Sequence, residues 1–110
     1  MPYQAPVQEF EFLLTHVVGF ERLRATPAHA EATPDVVRAI LTEAGRISQE
    51  VLAPLNRVGD RHPARLENGV VRTPPGFAAG YRVMAEAGMT AMSADPAHGG
   101  LGLPQTVAAC

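Results

Sequence analysis

The sequence predicts a mostly α-helical fold carrying one short β-hairpin, and three observations predict it. Apolar residues recur at spacings of three and four from Val37 to Leu55, behind a helix-start signal at Thr33. Asn68-Gly69 stands between "RLE" and "VVR", the two-residue signal of a type I′ hairpin. Aromatic residues make up only 5% of the 110 residues and tryptophan is absent, so Leu, Val, Ala and Met must build the core.

Along the chain, "VQEFEFLLTHVVGFERLR" (7–24) sets Phe10, Leu13, Leu14, Val17 and Val18 on one helical face, with Gly19 as an interruption. "ATPAHAEATP" has two prolines and no periodicity, which predicts a linker. Thr33 then caps a helix, Pro34 suits its first position, and Asp35 suits the positive end of its dipole. Val37, Ile40, Leu41, Ala44, Ile47, Val51, Leu52 and Leu55 form the apolar face of that helix, against Arg38, Glu43, Arg46 and Gln49. Pro54 lacks a backbone donor and predicts a kink near Val51 rather than an end, since Leu55 and Val58 continue the face.

The hairpin of 65–72 is too short to stand alone, which predicts that it lies on helices. "TPPGF" opens a further helix in which Phe77, Tyr81, Met84 and Ala85 share a face, ending near Gly88. Gly80 inside that helix costs roughly 1 kcal/mol against Ala. An irregular glycine-rich stretch leads to Pro104, which begins a last helix. "TVAAC" supplies little more than one turn, too short to hold without continuation or packing, so the reading is of a truncated sequence.

The bulk numbers exclude several functions. A net charge of −2 gives no basis for binding nucleic acid or an anionic membrane surface. The apolar runs are too short to span a bilayer, and "MPYQAPVQEFEF" lacks the features of a signal peptide. The single cysteine, Cys110, rules out an internal disulfide, and the expected location is the cytoplasm.

No chemistry stands out from spacing. His16, His29, His62 and His98 share no metal-ligand pattern, and the carboxylates form no pair. Ser48 and Ser93 lack a nucleophile-elbow context. The loop "DPAHGGLGLPQ" is neither a dinucleotide fingerprint nor a P-loop; it reads as an anion-binding turn or, preferably, as a tight interhelical turn.

Taken together, "ILTEAGRISQEVLAPLNRVGDRHPARLENGVVRTPPGF" and "AGMTAMSADPAHGGLGLPQT" resemble the N-terminal part of an acyl-CoA dehydrogenase. The opening "YQAPVQEFEFLL" resembles an extra N-terminal segment of one bacterial subgroup, which includes enzymes acting on methylthiopropionyl-CoA and on longer acyl-CoA thioesters. The resemblance implies an incomplete helical N-terminal domain over residues 33–110, preceded by an extension and linker over 1–32. It implies an FAD enzyme of fatty acid metabolism that desaturates the Cα–Cβ bond of an acyl-CoA and passes electrons to an electron-transferring flavoprotein, as a homodimer or homotetramer. It assigns no catalytic, cofactor-binding, substrate-binding or metal residue here. None of Glu31, Glu43, Glu50, Glu67 or Glu86 matches the catalytic base, and Gly99, Gly100 and Gly102 carry over only as turn residues. The alternative from another class is a free-standing helical interaction module without enzymatic activity.

Overall fold

The computed structural model describes residues 2–110. Six helices run in the order α1 (Val7–Phe12), α2 (Phe20–Arg24), α3 (Pro34–Ile47), α4 (Ala53–Arg61), α5 (Phe77–Glu86) and α6 (Gln105–Ala108). One antiparallel hairpin, β1 (Arg65–Glu67) and β2 (Val70–Arg72), stands between α4 and α5. The molecule is a slab of 52 × 37 × 18 Å, with a radius of gyration of 16.7 Å. A compact chain of this length would have a radius of about 13 Å, so much of the surface of each element is left uncovered.

Helix α3 starts as its sequence dictates. The Thr33 hydroxyl accepts from the Val36 amide at 3.3 Å, and Pro34 takes the first helical position. Its apolar face buries Val37, Leu41 and Ile47, while Arg38, Glu43, Arg46 and Gln49 face solvent. Onto Val37 and Leu41 close Leu14 and Phe20 from one end of the chain and Met92, Leu103 and Val107 from the other. Ala32, inside the proline-rich linker, is buried in the same cluster.

The proline is absorbed without breaking the helix. Between α3 and α4, residues Ser48–Leu52 form a π-helical turn in which the Ala53 amide reaches the Ser48 carbonyl, five residues back. A proline in an α-helix crowds the carbonyl four residues before it and leaves that carbonyl without a donor. Widening the preceding turn by one residue moves the carbonyls out of that register. The kink expected near Val51 is therefore this π turn, and Leu55 and Val58 stay half-buried beyond it.

Beyond the π turn, α4 packs on α5 through glycines. A Cβ at Gly80 would stand 2.7 Å from Leu55 Cδ1, one at Gly76 2.8 Å from Leu55 Cδ2, and one at Gly59 2.8 Å from Phe77 Cζ. Gly80 is buried. The helix propensity lost at this position is thus the condition for seating Leu55, a reason the sequence alone did not disclose.

Three expectations are corrected. Gly19 does interrupt the first helix, adopting φ of 70° between α1 and α2. The residues before it form a π-helical turn, Leu13–Val18, which leaves only Leu14 buried and turns Leu13, Val17 and Val18 to solvent. The changed pitch, not the residue types, splits the expected face. On α5 the packed side runs through Gly80, Val83 and Met84, while Tyr81 is 63% exposed and Ala85 is also exposed. The hairpin has the expected register, Leu66 opposite Val71 and Glu67 opposite Val70, with positive φ at Asn68 and Gly69. It does not lie on a helix: every strand residue is exposed. Its charged face instead holds Glu67 against Arg65 at 3.3 Å and Arg72 at 4.0 Å.

Replacing Pro54 tests the π turn. Pro54→Ala restores an amide that can donate to Glu50 and lets the turn relax toward α geometry, which rotates Leu55 away from Gly76 and Gly80. The expected outcome is a loss of about 0.5–3 kcal/mol despite the better helix former, read by chemical denaturation. An unchanged or raised stability would show that the proline does not set the register of α4.

Candidate functional site

The one stretch with ligand-loop composition is a turn whose amides are already used. Met89–Ala91 forms a short 3-10 turn, and Asp95 then caps another over Pro96–His98, its Oδ1 accepting from the Ala97 amide at 2.8 Å. The amide of Gly99 donates to Pro96, that of Gly100 to Asp95, Leu101 to Ala91, Gly102 to Ala94 and Leu103 to Met92, all at 3.0–3.1 Å. An anion cradle needs convergent amides free to point at the ligand. Here each amide from Gly99 to Leu103 points back at the chain. The stretch is a tight turn that lays residues 100–103 against residues 91–95.

Close approach explains the glycine at position 100. A Cβ there would lie 2.0 Å from the Ala94 carbonyl oxygen, a backbone atom that cannot swing aside. The turn delivers Leu103 and Val107 into the core beside Met92, and Val107 is only 1% exposed. The short α6 is thereby packed on the core, although it is little more than one turn long.

The remaining candidate groups stay apart. His16 stacks near Phe12, with ring centroids 4.8 Å apart, and His29 lies 3.4 Å from the Thr26 hydroxyl. His62 ends α4 and His98 sits in the glycine turn. Among the described residues, no group of three or more His, Cys, Asp or Glu side chains could hold a metal ion. Ser48 lies in the π turn and Ser93 is exposed. Cys110 donates to the Thr106 carbonyl at 3.3 Å, and burial pushes its thiol pKa up, away from the thiolate a nucleophile needs.

Several carboxylates are tied to arginines. Arg46 holds both Glu43 oxygens at 2.7 and 2.9 Å and Glu50 at 2.9 Å. Those hydrogen bonds hold the Glu43 carboxyl below the ordinary carboxylate range and raise the Arg46 guanidinium, with Glu43 the first cause. Arg38 pairs with Glu11 across the α1–α3 contact, and that hydrogen bond raises its pKa. Next to it, Gly45 admits the methyls of Ala5 and Val7, and Gln49 Oε1 accepts the Ala5 amide at 2.8 Å. These contacts fasten the N-terminal segment and the start of α1 to α3. Sequence reasoning missed them, because a lone glycine and a polar residue in a helix carry no partner information.

It also missed a basic notch of about 280 Å³, lined by Arg61, His62, Pro63, Arg65 and Pro75. Charge density could have found it, since Arg57, Arg61, Arg65 and Arg72 are four of nine cationic residues in the chain.

No family model matches the chain. It is 39% identical over 109 residues to a 3-methylmercaptopropionyl-CoA dehydrogenase of Ruegeria pomeroyi, a match covering 99% of this chain and 18% of that protein. It is 27% identical over 107 residues to the broad-specificity linear acyl-CoA dehydrogenase FadE5 of Mycobacterium tuberculosis, covering 96% of this chain and 18% of that protein. The resemblance to acyl-CoA dehydrogenases therefore runs along nearly the whole chain, while the chain spans about a fifth of the length of the curated relatives it matches.

Two substitutions separate the roles of the turn glycines. Gly100→Ala forces backbone apart and is expected to cost at least about 1–3 kcal/mol. Gly99 faces open space with φ of 84°, so Gly99→Ala carries only backbone strain of about 1–2 kcal/mol. Equilibrium unfolding of both variants checks the order, and a Gly99 variant costlier than the Gly100 variant would refute it.

The Glu43 carboxyl is expected to titrate below its reference pKa near 4.5. Its folded pKa is depressed, so any stabilisation is present above the unfolded pKa and fades as pH falls through the folded one. Carboxyl-carbon NMR of the parent and of Arg46→Gln checks this, with the midpoint rising in the variant. Equal midpoints would show that Arg46 does not hold the carboxylate.

Proposed function

We propose that this chain is the N-terminal segment of an FAD-dependent acyl-CoA dehydrogenase, an oxidoreductase that forms the Cα–Cβ double bond of an acyl-CoA thioester. The observation that carries the reading is the 39% identity across 99% of the chain to a protein named as an acyl-CoA dehydrogenase. In this reading residues 33–110 are part of a helical domain. Residues 1–32 are an added segment, whose Leu14, Phe20 and Ala32 join the same core.

The residues present do not fit a flavin. The glycine-turn amides bond to the chain's own carbonyls, and the arginines of the α1–α3 surface are held by carboxylates. The segment's part in the enzyme is positional. The π turn and the glycine contacts set α4 on α5, and the tight turn aims α6. The catalytic base, the flavin site, the acyl pocket and the surfaces for subunits and an electron-transferring flavoprotein are assigned to the rest of such an enzyme, expected in the cytoplasm. No helix among the described residues is long and apolar enough to cross a membrane.

The purified 110-residue chain is expected to bind no FAD and to oxidise no acyl-CoA. Flavin absorbance after gel filtration with FAD, and reduction of an artificial electron acceptor by acyl-CoA, check this. A stoichiometric yellow complex would overturn the placing of the flavin site elsewhere. The reading frame beyond codon 110 separates the two function classes: continuation through a β-rich segment and a helical bundle supports the enzyme, and a stop codon supports a helical interaction module.

A further inference from the structure

The chain as a whole carries a net charge of −2, but the charge is unevenly placed. Residues 57–72 contain Arg57, Arg61, Arg65 and Arg72 against only Asp60 and Glu67, a net of +2 before His62 is counted. The other residues contain five arginines and nine acids, a net of −4. The basic segment folds on itself at the α4–hairpin junction, where Arg61, His62 and Arg65 line one notch of about 280 Å³. No carboxylate lines it, and its remaining walls are Pro63 and Pro75.

The two arginines are not fully neutralised in place. Among the described residues Arg61 makes no ion pair. Arg65 shares Glu67 with Arg72, at 3.3 and 4.0 Å, so one carboxylate answers two guanidinium groups. The bland reading is that Arg61 and His62 merely compensate the negative end of α4. That end carries about half an elementary charge, less than Arg61 alone supplies, and Arg65 lies on the hairpin beyond the helix. A surplus of positive charge therefore faces the notch.

We propose that this notch is a binding site for a phosphate dianion, either the free ion or the head of a phosphate monoester. Guanidinium groups present planar, paired donors that match phosphate oxygens, and two of them can hold one phosphate from both sides. The imidazole of His62 adds an N–H donor in its neutral form and a charge when protonated. The proline walls have fixed φ, which lowers the ordering cost of closing the site.

Arginine reactivity tests the site on the full-length polypeptide. Phenylglyoxal modification rates of Arg61, Arg65 and Arg82 are measured by peptide mass spectrometry with added sodium phosphate, with phenyl phosphate, or with sodium chloride at matched ionic strength. Arg82 is exposed on α5, makes no ion pair among the described residues, and serves as the internal reference. Phosphate at ten times its Kd is expected to slow Arg61 and Arg65 about tenfold and to leave Arg82 unchanged. Stronger protection by phenyl phosphate points to an esterified source and equal protection to the free ion; both uphold the site. In Arg61→Gln the protection of Arg65 is expected to disappear. Protection no greater than with chloride, or equal at Arg82, would overturn the proposal from the parent protein alone.

Discussion

Everything in this fold hangs on the small apolar area that Val37 and Leu41 present on the first turns of α3. Leu14 and Phe20 come to it from the beginning of the chain, and Met92, Leu103 and Val107 from its end. Each fully buried aliphatic or aromatic side chain contributes about 1.5–3 kcal/mol, and this cluster joins segments from both ends of the chain. The placing of α2, of the linker through Ala32, and of the glycine turn all follow from it. The α4–hairpin–α5 arm is joined to it on one side through the long helix and on the other through Met89 and Met92, which follow α5. That explains why a π turn in that helix matters: it sets the rotation of the whole arm.

Glycine acts in two separate ways in this chain. At Gly99 the backbone conformation requires it, and at Gly100, Gly80 and Gly76 a neighbouring atom stands where a side chain would begin. At Gly76 both apply, since its φ is 85° and Leu55 Cδ2 would stand 2.8 Å from the new carbon. The distinction decides which positions admit alanine. Open space around a strained residue carries a modest cost, whereas a carbonyl 2.0 Å from the new carbon forces the fold to move.

Local signals were legible in the sequence and tertiary ones were not. Thr33, Pro34, the α3 face and the Asn68-Gly69 turn were read correctly because their causes lie within a few residues. The faces of the first helix and of α5 were misread for a common reason. Periodicity reports which residues can share a side at 3.6 residues per turn, and the π turn at Leu13–Val18 changes that number. On α5 the side that packs is chosen by where Leu55 finds room, at Gly80, and not by where Tyr81 points. The same gap hid the basic notch: Arg61 and Arg65 are only four residues apart and solvent-facing, but one wall, Pro75, reaches them from beyond the hairpin. The glycine turn lay between these cases. Its composition allowed a ligand loop or a tight turn, and only the destinations of its amides decide.

The π turn at Ser48–Leu52 is geometrically one residue more than an α-helix would use to cover the same rise. Losing any one residue from it would return the helix to α register and keep α4 facing α5 as it does now. The shortened helix would then set Pro54 against a carbonyl four residues back, at about 3 kcal/mol or more. Length and residue type are thus linked at this place. A homologous chain one residue shorter here is compatible with the fold once the proline has gone, and a chain that keeps the proline must keep the extra residue.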